Sequence, residues 1–80
     1  MIDLDGRHPA TQQIARYFAY GHLPEPLRTV SLLCHDLAEA MIDRLPDGPE
    51  LTTGLRKLLE GKDAFVRAAL DLPTNDGGAA

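Results

Sequence analysis

Three stretches carry side chains whose types and spacing could do chemistry. Phe18-x-Tyr20-x-His22 sets two aromatic rings and an imidazole just ahead of a proline connector and a helix start. A helix N-terminus offers free backbone N–H groups and a positive partial charge, which suit a phosphate. An aromatic ring beside it can stack a nucleobase. The other reading is that these rings pin an arm to the rest of the chain. Cys34-His35-Asp36 places a thiol, an imidazole and a carboxylate in a row. On a helix successive side chains point about 100° apart, so the three are not expected to converge. They read as a buried thiol beside a solvent-facing His and Asp. His35 and Glu39 lie one turn apart, but two ligands without a third fall short of a metal site.

Lys62 is the third candidate. It sits on an apolar stripe between Leu58 and Phe65. A charge there must be paired or must snorkel to water. Pairing with an acid such as Glu39 is one reading, and facing a ligand cavity between subunits is the other. No P-loop, nucleotide-binding glycine pattern, zinc signature or nucleophile elbow occurs in the chain. We expect no enzymatic activity and no cofactor.

The elements that position these residues are a helical hairpin. Leu27, Val30, Cys34, Leu37, Met41 and Leu45 recur at spacings of three and four, which predicts one apolar stripe of a helix. Leu51, Leu55, Leu58, Phe65 and Ala69 form a second, and Leu55, Leu59, Val66 and Leu70 widen it. One partner helix cannot cover so wide an arc, so a further surface must bury the rest. Between them, Leu45-Pro46-Asp47-Gly48-Pro49 supplies the turn. Pro46 ends one helix, Asp47 or Gly48 caps the next, and Pro49 fits its first position. So short a link makes the two helices antiparallel neighbours. Ahead of them, His8-Pro9 opens a short helix carrying Ile14, Tyr17 and Phe18, with Gly21 as its stop. The expected fold is all-α: a short N-terminal helix, then two long antiparallel helices, in one domain over 1–80 that forms oligomers. Residues 1–7 read as a flexible arm and 71–80 as a disordered tail.

The chain has 80 residues, 44% of them hydrophobic and 25% charged. So small a helical domain encloses little core, and association is one remedy. Its net charge of -4, with scattered basic residues, argues against duplex nucleic acid or an anionic membrane as partner. Cys34 is the single cysteine and fits a reducing compartment. We expect a cytoplasmic location.

Taken together, Phe18, Tyr20 and His22, the proline connector, Asp36-Leu37-Ala38-Glu39, the Pro-Asp turn and Val66-Arg67-Ala68-Ala69 resemble a known pattern. Over 16–70 the chain is similar to the helical-hairpin domain of phage anti-CBASS and anti-Thoeris sponge proteins, above all the stand-alone anti-CBASS type. The resemblance implies a homohexamer without enzymatic activity. It would bind cyclic dinucleotides, and in some members cyclic trinucleotides, and deprive a bacterial immune effector of its messenger in the host cytoplasm. It also implies an arm aromatic stacked on a base, which falls on Tyr20 with Phe18 in support and His22 beside it. The family's basic residue falls at Ser31-Leu32-Leu33, and Arg28, one turn earlier, is the nearest cation. Lys62 and Arg67 complete the expected ligand-binding set if a subunit interface collects them. The alternative is a helical oligomerisation or regulatory module with no small-molecule ligand.

Overall fold

The computed structural model describes residues 2–72, and the described residues are all helical, without strands. Helix α1 spans Pro9–Ala15 and tightens into a 3₁₀ turn, Arg16–Phe18. Helix α2 spans Leu27–Arg44, and α3 spans Pro49–Ala69. None of these helices is long and apolar enough to cross a membrane. The short helix followed by two longer ones is the expected architecture.

His8 caps α1, its Nδ1 accepting from Ala10 N–H, and Pro9 takes the first helical position. The α1 segment stops earlier than expected. Ala19 is already extended, so Phe18 rather than Gly21 marks the end. Leu45 is extended before Pro46, as a residue ahead of proline should be, and this ends α2. Gly48 precedes α3 but makes no side-chain cap, and Pro49 begins it.

Asp47 does not cap α3. Its carboxylate turns back to α1 instead, accepting from His8 N–H (2.9 Å), Thr11 Oγ1 (2.8 Å) and Arg7 Nε (3.1 Å). Arg7 also donates to the carbonyls of Ile42 (2.7 Å) and Leu45 (2.8 Å), where α2 ends and leaves acceptors free. These three donors, with His8 N–H first, hold the Asp47 carboxyl below the usual carboxylate range. The stretch expected to be a flexible arm is therefore tied to the hairpin turn. Ile2 and Leu4 also pack against the core. Asp71 and Leu72 continue the end of α3 as one tightened turn, and the rest of the expected tail, 73–80, lies outside the described residues.

The core joins Ile14, Ala15 and Phe18 to Cys34, Ala38 and Ile42 of α2 and Leu51 and Leu55 of α3. Phe18 is wholly enclosed. On α2 the buried residues are Ser31, Cys34, His35, Ala38 and Ile42, and only Cys34 of these belongs to the apolar stripe read in the sequence. Of that stripe, Leu37, Met41 and Leu45 are exposed. Small side chains at 31 and 38 let the α1 segment approach α2 closely, and the bulky residues are left on the far side.

Candidate functional site

A cavity of about 510 Å³ lies where the N-terminal segment meets α2. Ile2, Leu4, Ala15 and Ala19 give it apolar walls, and Arg16, Tyr20 and His35 bring polar groups to it. Three elements position those groups. Arg16 opens the 3₁₀ turn. Tyr20 follows it on extended chain. His35 projects from the middle of α2, and it is buried, not solvent-facing as expected.

Tyr20 and His35 meet edge to face, with centroids 4.9 Å apart and an interplanar angle of 66°. This geometry suits two aromatic quadrupoles. Arg16 lies over the Tyr17 ring at 5.2 Å and has no carboxylate partner among the described residues. Its Nη2 donates to Tyr17 Oη at 3.4 Å, and its remaining donors could take a planar or tetrahedral anion. The cavity thus offers a ring face or edge, an imidazole and a cation.

The other expected ligand residues are distributed differently. Phe18 is buried in the core and does not line the cavity. His22 is exposed. Arg28 donates to Glu25 Oε1 at 2.9 Å. Hydrogen bonds from Thr29 and Arg28 lower the Glu25 carboxyl below its usual range. Neither Arg28 nor the start of α2 borders the cavity. The first turn of α2 is served by the connector, since Arg28 and Val30 N–H donate to the carbonyls of Pro24 and Pro26. Tyr20 is therefore set against the middle of α2 and not against its N-terminal N–H groups. Ser31 is fully buried one turn before His35, and its Oγ has no partner among the described residues. Arg67 is exposed in the last turn of α3, where the helix dipole favours a cation.

Lys62 is 9% exposed and neither snorkels nor pairs with Glu39. Its ammonium donates to the Tyr17 carbonyl at 2.8 Å, fastening the 3₁₀ turn to α3. That carbonyl is free because a 3₁₀ turn ending at Phe18 leaves its last acceptors unused. Of the sequence-level candidates, then, only Tyr20 lines this cavity. Arg16 and His35 were missed as cavity residues. Arg16 carried no local signal, and His35 was read as facing solvent because it adjoins Asp36.

Two further groupings correct the reading of Cys34-His35-Asp36. His35 Nδ1 and Asp36 Oδ1 do meet, at 3.1 Å. Glu39 joins them, and ligand atoms of His35, Asp36 and Glu39 all lie within 4.8 Å of one another. Asp36 is thus the third potential metal ligand that helical spacing alone did not supply. Cys34 points away from them into the groove between α2 and α3. Burial pushes its thiol up from the ordinary value, so it is not a ready nucleophile.

Comparison of the chain with protein-family models, with curated proteins and with solved structures finds no match.

Proposed function

We propose that the chain binds and sequesters cyclic di- or trinucleotide second messengers without hydrolysing them. In a phage-infected bacterium this would blunt CBASS- or Thoeris-type immunity, as the family resemblance implies. The observation that supports the reading best is the cavity that joins Tyr20, His35 and Arg16. Its volume lies in the usual range for small-molecule pockets, roughly 300–1,000 Å³. A base can lie against Tyr20 while Arg16 meets a phosphate. A homohexamer would let a neighbouring subunit, with cations such as Arg67, close the open side.

Sequestration differs from turnover in what leaves the site. Heat or protease treatment of the complex should return the cyclic nucleotide intact, and conversion to a linear product by clean protein would overturn the reading. Binding itself is read by thermal shift against a panel of cyclic di- and trinucleotides. Ligand at a hundredfold excess over Kd should stabilise the native state by about 2.7 kcal/mol per site. Tyr20→Ala should lose roughly fivefold to over a hundredfold in affinity, since stacking is worth about 1–3 kcal/mol per base. Tyr20→Phe keeps the ring and should keep most of the binding. Unchanged affinity in a folded Tyr20→Ala protein would remove the stacking role.

A second reading, an assembly module without a small-molecule ligand, is favoured by a different observation. The side of the hairpin away from α1 is apolar and uncovered. A flat response to the whole nucleotide panel, in a protein that self-associates, would select it.

A further inference from the structure

We infer that a second copy of this chain covers the open face of the hairpin by laying its α3 antiparallel along α3. This deepens the assembly part of the proposed function and is independent of nucleotide binding.

The face is a continuous apolar surface. One groove of about 510 Å³ runs between Val30, Leu33 and Leu37 on one side and Leu58, Phe65 and Leu72 on the other. A second, of about 270 Å³, continues it past Met41 and Leu45 to Leu51 and Leu55. No residue of the N-terminal segment lines either groove. Leu33 is 67% exposed and Phe65 59%. At about 1.5 Å per residue and 10 Å per helix, the face measures roughly 30 by 20 Å. That flat projection of about 600 Å² approaches the ~800 Å² per partner of a stable interface.

The pattern on α3 says which occupant fits. Leu51, Leu58, Phe65 and Leu72 recur every seven residues. Gly54, Gly61 and Ala68 recur at the same interval between them. Such a three-four alternation is the seam of two helices packed side by side. The small positions have no purpose inside the chain. A Cβ added at Gly54 would meet nothing within 4 Å, and at Gly61 only the Phe65 ring edge at 3.8 Å. Helix-interior glycines are costly, and close approach of another backbone is what they permit.

A two-fold axis level with Asp63 sets Phe65 over the second copy's Gly61, Leu58 over its Ala68 and Leu72 over its Gly54. Each large side chain meets a small one, and the relation is reciprocal, as an isologous contact requires. Lys57 and Asp71 lie on one edge of the seam, fourteen residues apart, and both are exposed. Neither has an ion-pair partner among the described residues. In this register Lys57 of each copy faces Asp71 of the other. Sliding by one heptad keeps large against small but brings Glu50 opposite Asp71, two acids. The charges therefore choose the first register. A hexamer built on it would contain three such pairs.

The test is sedimentation velocity of the full chain without nucleotide, at micromolar concentration and low salt. Wild type should run as a dimer or a multiple of one. Lys57→Asp should weaken association about tenfold or more, because two exposed pairs become two repulsions. Adding Asp71→Lys to it should restore association, with circular dichroism checking that each variant keeps its helices. A monomeric wild type would overturn the proposal. So would an assembly that the double reversal fails to rescue, although self-association itself would then survive.

Discussion

The two faces of the hairpin are built from different residues. Toward α1, α2 presents Ser31, His35, Ala38 and Ile42, and α3 contributes Lys62, a charged side chain buried by its bond to Tyr17. Away from α1, the same two helices present Leu33, Leu37, Met41, Leu45 and Phe65 to solvent. The enclosed face is small and partly polar, and the open one is large and apolar. Stability within the chain therefore rests on a short list of buried apolar side chains, Phe18 the largest with Ile42 and Leu55 beside it, and on hydrogen bonds. Much of the apolar bulk of α2 and α3 lies exposed on the other side.

Substitutions on the two faces should separate these roles. The largest effect is expected at Phe18. Phe18→Ala empties the centre of the enclosed face and should destabilise the chain by about 3–5 kcal/mol in urea titration. Phe65→Ala, a like truncation on the open face, should leave dilute-protein stability nearly unchanged and reduce association. Equal losses of stability at the two sites would break the comparison. The next effect is at Asp47. Its folded carboxyl is lowered by hydrogen bonds from His8, Thr11 and Arg7, so it binds protons less readily than in the unfolded chain. The stability it adds is fully present above the ordinary carboxylate value and is lost as pH falls through the folded value. Acid titration of melting temperature should show a step that Asp47→Asn lacks, with the variant less stable at neutral pH. The smallest effect is at Gly54, on the open face. Gly54→Ala should stabilise the dilute chain by about 0.5–1 kcal/mol, because nothing obstructs the added methyl. If it destabilises, that face is not free.

Much of the fold was legible because prolines punctuate it. Pro9, Pro46 and Pro49 mark helix limits that the structure keeps. The apolar stripes were legible too, but not what they face. Periodicity reports that Leu37 and Met41 share a side of α2 and is silent about whether α1 or solvent lies there. Packing gave the inner side to Ser31 and Ala38 because the α1 segment needs room. The cavity was legible only at Tyr20. Arg16 reaches it through the 3₁₀ turn, and His35 through the register of α2, and neither follows from local spacing. The tie between Arg7 and the turn spans 35 to 40 residues, beyond any short-range signal.

That long-range tie bears on the order in which the molecule comes apart. The hairpin closes over a four-residue turn, 45–48, so its contacts form early and locally. The N-terminal segment must instead find Asp47 across a loop of nearly forty residues, and its other ties, Phe18 in the core and Lys62 on the Tyr17 carbonyl, are long-range as well. It should be the first unit to open and the last to dock. Amide hydrogens of residues 10–18 should therefore exchange by a local opening, well before those in the middle of α2 and α3. Trypsin should find Arg7 and Arg16 in that opened state while the hairpin remains folded.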